Sequence, residues 1–114
     1  MNTITVIGAG TMGNGIAHVF AQNGFKVYLV DMNALILEKA LTTIAKNLDR
    51  MVLKASITED KKRETLANLI METEISKAAP LSDLVVEAAS ENFIIKEKIF
   101  LFLLIQMTRL ITIP

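Results

Sequence analysis

The stretch Thr3-Ile-Thr-Val-Ile-Gly-Ala-Gly-Thr-Met-Gly-Asn-Gly15 decides the fold of this chain. Thr3 to Ile7 are all β-branched and read as a buried parallel strand. Glycines at 8, 10 and 13 follow at once, and all 5 glycines of the chain (Gly8, Gly10, Gly13, Gly15 and Gly24) fall before residue 25. Glycine is needed where φ is positive or where the backbone must approach something closely. Helical spacing starts at Met12 and continues through Ile16, Val19 and Phe20, predicting an apolar face at these positions. Asn23-Gly24 supplies a left-handed helix stop. Lys26 to Val30 reads as a second strand, and Asp31 stands at its carboxyl end.

A G-x-G-x-x-G turn between a strand and a helix, with an acid closing the next strand, is the pattern of a dinucleotide-binding unit. Each part has a physical task. Gly8 permits the tight turn, Gly10 lets the backbone approach a pyrophosphate, and Gly13 lets the helix pack on the strand. The helix N-terminus offers N–H groups and partial positive charge to phosphates. The cofactor-binding candidates are therefore Gly8, Ala9, Gly10, Thr11, Met12, Gly13 and Asp31. Asp31 can accept hydrogen bonds from the adenosine ribose and repels a 2′-phosphate, which favours NAD over NADP. The same turn also serves flavin and nucleotide-sugar binders, and Rossmann-like domains that have lost their ligand.

Composition narrows the class. The chain has 114 residues, which fits one domain. Its 12 basic and 12 acidic side chains cancel, so charge gives no case for nucleic acid or an anionic membrane. There is no cysteine, which excludes disulfides and thiolate chemistry. The single histidine, His18, excludes a multi-histidine metal site; its helical position reads as a surface or packing residue. Hydrophobic residues form 52% of the chain, far from a disordered composition. The N-terminus has no basic region before its apolar stretch, and a cytoplasmic location is expected.

An excursion of about 40 residues follows Asp31, longer than an ordinary crossover needs. Asn33 can cap a helix with Leu37, Leu41, Ile44, Leu48 and Met51 on its apolar face, running to about Ala55. Thr58 can cap a second helix through Leu66, Leu69 and Ile70, with Glu59 and Asp60 in its first turn. This predicts a helical hairpin over 33–70. Its cations, Lys46, Arg50, Lys54, Lys61, Lys62 and Arg63, read either as a solvated face or as a site for an anionic substrate handle. Glu72 to Ile75 read as a third strand, Pro80 and Ser82-Asp83 as a loop, and Leu84 to Ala89 as a fourth strand. A helix opened by Ser90, Glu91 and Asn92 should follow. Glu91 then stands at the ligand-binding edge, either as a helix N-terminal charge or as a ligand contact. The expected fold is α/β: a Rossmann-type doubly wound parallel sheet of order 3-2-1-4, with Ile111-Thr-Ile113 open as a fifth strand.

The segments 6–17, Tyr28 to Asp31, and Leu84-Val-Val-Glu-Ala-Ala-Ser-Glu-Asn92 with Lys96 together resemble the 3-hydroxyacyl-CoA dehydrogenases, especially the short bacterial 3-hydroxybutyryl-CoA type. The resemblance covers roughly residues 2–100, the hairpin included. It implies an oxidoreductase acting on an acyl-CoA with NAD as cofactor, in fatty-acid or butyrate metabolism. By the same resemblance Glu91 and Lys96 contact the nicotinamide side of the cofactor, and Lys54 helps bind coenzyme A. Asn47 stands where the family often has serine in that site. The family's catalytic histidine, in a His-x-Phe-x-Asn-Pro stretch, and its partner glutamate would lie beyond Pro114, so no catalytic residue is assigned within the chain. A helical C-terminal domain, through which the family homo-oligomerises, would be absent as well. The tail 99–114 departs from the family: residues 99–108 carry no charge, and an all-apolar helix needs burial on every side. The chain is thus expected to be an incomplete NAD-binding domain. The alternative is a module or truncated fragment that binds NAD without turnover.

Overall fold

Strand β1 (Thr3–Ile7) lies at the centre of a parallel sheet because both of its faces are apolar enough to be covered. The computed structural model describes residues 2–88 and 110–112. After β1 come helix α1 (Thr11–Gln22), strand β2 (Lys26–Val30), helix α2 (Ala34–Leu53), helix α3 (Glu59–Ala67) and strand β3 (Leu69–Glu72). A short helix α4 (Ile75–Ala78), a 3-10 turn (Ala79–Leu81), strand β4 (Leu84–Glu87) and strand β5 (Leu110–Thr112) complete the described elements. The sheet order is β3-β2-β1-β4-β5 and every pairing is parallel. The expected order 3-2-1-4 is thus present, and the open fifth strand pairs on β4.

Period-two alternation sorts the strands into two faces. Ile4, Val6, Val27, Leu29, Leu84 and Val86 join Ala17, Ala21, Leu37 and Ala40 in one buried cluster. The residues between them (Thr5, Ile7, Val30 and Val85) are buried too. There Thr5 hydrogen-bonds Ser82, which also donates to the Ala78 carbonyl.

Three expectations need correction. The buried face of α1 is Gly13, Asn14, Ala17 and Ala21, not the predicted Met12–Val19 line. Small side chains let the helix lie close to the sheet, and this turns Met12 and Val19 outward, 53% and 60% exposed. Ile16 and Phe20 flank the contact. The third strand is Leu69–Glu72 rather than Glu72–Ile75, and α3 stops at Ala67. Asn68 closes that helix and donates its side-chain amide to the Ala21 carbonyl at 3.0 Å. Leu69 and Met71 can then pack on the core. Glu72 folds back to accept the N–H groups of Thr73 and Glu74, and the chain turns into α4 where a loop was expected. On α2, Leu37, Ile44 and Leu48 are buried as predicted, whereas Leu41 is at the margin, 36% exposed.

The helical hairpin is present. Asn33 caps α2, Thr58 caps α3, and α2 ends two residues before Ala55. Strand β4 ends at Glu87, with Ala88 already outside it, so it is shorter than the expected Leu84 to Ala89; the predicted helix after Ser90, with Glu91 and Lys96, and most of the tail lie outside the described residues. Among the described residues no helix is long and apolar enough to cross a membrane.

Candidate functional site

The carboxyl ends of β1, β2 and β4 meet at one edge, because Ile7 is in register with both Val30 and Glu87. Gly8 turns the chain there with φ of 100° and donates its N–H to the Val30 carbonyl at 2.7 Å. That conformation excludes most side chains. Gly13 faces back onto this turn. A Cβ at Gly13 would lie 1.6 Å from the Gly8 carbonyl oxygen, which no rearrangement of a side chain could relieve. At Gly10 the result is the opposite: an added Cβ would meet no protein atom within 4 Å, and the residue has an ordinary extended φ of −69°. The protein itself therefore does not require glycine at position 10.

Helix α1 starts at this turn without a side-chain cap, whereas α2 and α3 are capped by Asn33 and Thr58. The first-turn N–H groups of α1 have no intrahelical acceptor, and they face the edge where the strands end. Asp31 stands beside them, half-buried. Its Oδ2 accepts the Ala9 N–H at 3.0 Å and its Oδ1 accepts the Asn33 N–H at 3.0 Å. Asn33 in turn accepts the N–H groups of Leu35 and Ile36. Each Asp31 oxygen keeps further acceptor capacity. An uncapped helix N-terminus, open space over Gly10 and an anchored carboxylate fit a pyrophosphate carrying a ribose.

The structure brings Gly8 to Gly13 and Asp31 together as expected, and separates them from the hairpin candidates. Asn47 and Lys54 lie toward the far end of α2, a helix of 20 residues that spans about 30 Å. The hairpin cations divide into two sets. On α3, Lys62 pairs with Asp49, Arg63 with Asp60 and Lys61 with Glu64. The Asp49 carboxylate, hydrogen-bonded to the Lys62 ammonium, holds it above its ordinary pKa against a smaller opposing effect of desolvation. Lys46 and Arg50 on α2 and Lys54 at its C-cap are exposed and make no ion pair with a described residue. The pairs Lys61–Glu64 and Arg63–Asp60 are local, three residues apart on α3, whereas Lys62–Asp49 depends on where α3 sits against α2.

His18 lies on α1, half-buried, with its Nε2 at 2.8 Å from the Gln22 side chain. It is not part of the edge. Two features of the edge were missed by the sequence reading. Glu87 is a carboxylate only 2% exposed at the end of β4; its signal is a charge in an otherwise apolar strand. Met32 follows Asp31 and is 75% exposed, and an apolar residue at such a turn is the signal there.

Comparisons with known proteins agree with this geometry. The sequence pattern described as 3-hydroxyacyl-CoA dehydrogenase, NAD binding domain, matches residues 3–108. A 3-hydroxybutyryl-CoA dehydrogenase of Bradyrhizobium diazoefficiens is 44% identical over 97 residues, covering 85% of this chain and 33% of the relative. A 3-hydroxyadipyl-CoA dehydrogenase of Escherichia coli K12 is 41% identical over 100 residues, covering 88% of this chain and 21% of the relative. The crystal structure of 3-hydroxybutyryl-CoA dehydrogenase from Escherichia coli K12 superposes with a TM-score of 0.91 at 39% identity, over 97% of this chain and 24% of that one. The (S)-3-hydroxybutyryl-CoA dehydrogenase of Ralstonia eutropha gives a TM-score of 0.82 at 39% identity, over 88% and 35%. The chain spans about a third or less of the length of these relatives.

Proposed function

The chain belongs to the 3-hydroxyacyl-CoA dehydrogenase family, whose NAD-binding domain it carries, and from that premise we propose that it forms the cofactor-holding part of a 3-hydroxyacyl-CoA dehydrogenase. The reaction is a reversible hydride transfer between NAD and the 3-position of the acyl-CoA. NAD, when bound, supplies the hydride-accepting nicotinamide. The chain's own residues bind and orient. The first-turn N–H groups of α1 and the backbone around Gly10 hold the pyrophosphate. Asp31 accepts the adenosine ribose hydroxyls through its remaining lone pairs, and its negative charge disfavours a 2′-phosphate. Glu91 and Lys96 are assigned to the nicotinamide side by resemblance. Lys54 and Asn47 bind coenzyme A, and the absence of any acid pairing with Lys54 among the described residues supports this. No residue of this chain is assigned as the general base. The assignment carries with it a role in fatty-acid or butyrate metabolism and a cytoplasmic location.

The open space over Gly10, bordered by the uncapped N-terminus of α1 and by the anchored carboxylate of Asp31, carries the proposal. The test is titration of the native protein with NADH, followed by acetoacetyl-CoA. Saturable NADH binding with oxidation on adding acetoacetyl-CoA identifies the dehydrogenase. NADH binding without turnover supports the second reading, a binding module. Absence of NADH binding refutes both.

A further inference from the structure

Asn-Gly occurs twice along α1 and its stop, at Asn14-Gly15 and Asn23-Gly24, and the fold puts the two pairs in opposite situations. An asparagine followed by glycine carries its own modification chemistry. The backbone nitrogen of the glycine, which no neighbouring Cβ shields, attacks the asparagine Cγ. The bond from Cγ to Nδ2 breaks, and the side-chain nitrogen leaves as ammonia with the proton that the glycine nitrogen gives up. A five-membered succinimide remains. Water opens that ring at either carbonyl, giving aspartate or the isomer whose backbone runs through the side chain. No oxidant, metal or enzyme takes part. Ring closure needs the glycine N–H released from its acceptor and the asparagine ψ free to turn that nitrogen onto Cγ.

Asn14-Gly15 meets neither condition. Asn14 is 9% exposed, its N–H donates to the Gly10 carbonyl at 2.9 Å, and its Nδ2 reaches the Ala40 carbonyl on α2 at 3.5 Å. Gly15 lies inside the helix, so its N–H is released only when α1 itself opens. Asn23-Gly24 is exposed, with Asn23 as the C-cap and Gly24 already outside the helix at φ of 92°. The pair is held by local bonds alone: Asn23 Nδ2 to the Val19 carbonyl at 2.7 Å, and the Gly24 N–H to the Ala21 carbonyl at 3.2 Å. Both belong to the last turn, the part of a helix that frays at least cost. While that turn is closed, a ψ of 15° at Asn23 keeps the Gly24 nitrogen off Cγ.

We propose that Asn23 is a self-modification site, converted through a succinimide to aspartate and isoaspartate by way of openings of the last turn of α1, while Asn14 is spared. The product weakens the fold at that point. A carboxylate replaces the Nδ2 donor that faces the Val19 carbonyl, and its charge stands at the negative end of the helix. The isoaspartyl form also lengthens the backbone just before Phe25 returns its N–H to the Phe20 carbonyl and leads into β2.

The experiment incubates the whole chain in mildly alkaline buffer, with and without urea enough to unfold it. Fragment-ion mass spectrometry locates each gain of one dalton, and labelling by an isoaspartyl carboxyl methyltransferase identifies the isomer. In buffer Asn23 should react at least about tenfold faster than Asn14, and in urea the two rates should converge to within about threefold. Asn23→Asp, which carries the main charge change of the product, should melt about 2–6 °C below the parent. Equal rates at the two sites in the folded protein would show that the fold does not select between them. An Asn23 that stays intact in buffer overturns the site, whether or not it reacts in urea. An Asn23→Asp protein that melts with the parent overturns the weakening.

Discussion

The carboxylate of Asp31 accepts the backbone N–H of Ala9 at 3.0 Å, so the end of β2 and the middle of the glycine turn form one hydrogen-bonded unit. The same group is the one assigned to the ribose, so fold and ligand draw on a single side chain. Asp31→Ala leaves two backbone N–H groups without their charged acceptor. A charge-assisted bond of this kind contributes about 1.5–3 kcal/mol. The variant should melt lower and lose at least about tenfold in NADH affinity. Asp31→Asn keeps an acceptor and removes the charge, and should narrow the gap between NADH and NADPH. A melting scan and two titrations check this; an Asp31→Ala protein that binds NADH like the parent would sink it.

Gly10 and Gly13 should behave in opposite ways although they belong to one motif. Gly13→Ala puts a methyl 1.6 Å from a backbone carbonyl and should prevent stable folding. Gly10→Ala meets nothing in the protein and should melt with the parent, yet lose NADH because the methyl occupies the pyrophosphate's approach. Circular dichroism with NADH fluorescence separates the two effects. Equal loss of folding in both variants would remove the case for a ligand over Gly10.

The division of the hairpin cations predicts which of them matter to coenzyme A. Lys54→Ala should weaken coenzyme A binding by about three- to tenfold, and the parent's affinity should fall as salt rises. Arg63→Ala should change little, since Asp60 already neutralises that side chain. Calorimetric titration at two salt concentrations decides between this and a uniformly solvated face, for which the two variants would be alike.

Lys62 and Asp49 join α3 to α2, and the pair has a defined pH window. The folded-state pKa of Lys62 is raised from 10.5 by the Asp49 hydrogen bond. Its contribution is therefore fully present below the unfolded value and is lost as pH rises through the folded one. The melting temperatures of the parent and Lys62→Met should differ by a constant amount from about pH 6 to 9 and converge above about pH 10.5. A difference that shrinks already between pH 6 and 9 would contradict the pairing.

Helix α2 ends in a left-handed residue that is not glycine. Ala55 has φ of 57°, with its N–H on Val52 and that of Ser56 on Met51. This is the two-bond helix stop that favours glycine. Ala55→Gly should stabilise the domain by about 0.5–1 kcal/mol, because relief of the Cβ contact exceeds the added chain entropy. The melting temperature should rise by about 2–6 °C; an unchanged or lower value would refute the estimate.

Much of the architecture was legible because its causes are local. Thr3 to Ile7 could only be a covered strand, the positive φ at Gly8 is a property of one residue, and the caps Asn33 and Thr58 bond to their own helices. The start of β3 was misread because nothing local distinguishes Leu69-Ile-Met-Glu72 from a continuing helix. The deciding event is Asn68 reaching the Ala21 carbonyl on another helix.

The sequence by itself determined the order of elements, the glycine turn and the acid that closes β2, since each depends on backbone conformations that a few neighbouring residues impose. Only the tertiary structure decided which side chains of α1 face the sheet, that Lys62 meets Asp49 across the hairpin, and which apolar residues stay beside the ligand edge. Those outcomes depend on the distance and angle between elements far apart in the chain. A close helix–sheet approach buries Gly13, Asn14 and Ala17 and turns Met12 outward, against the hydrophobicity of the residues themselves.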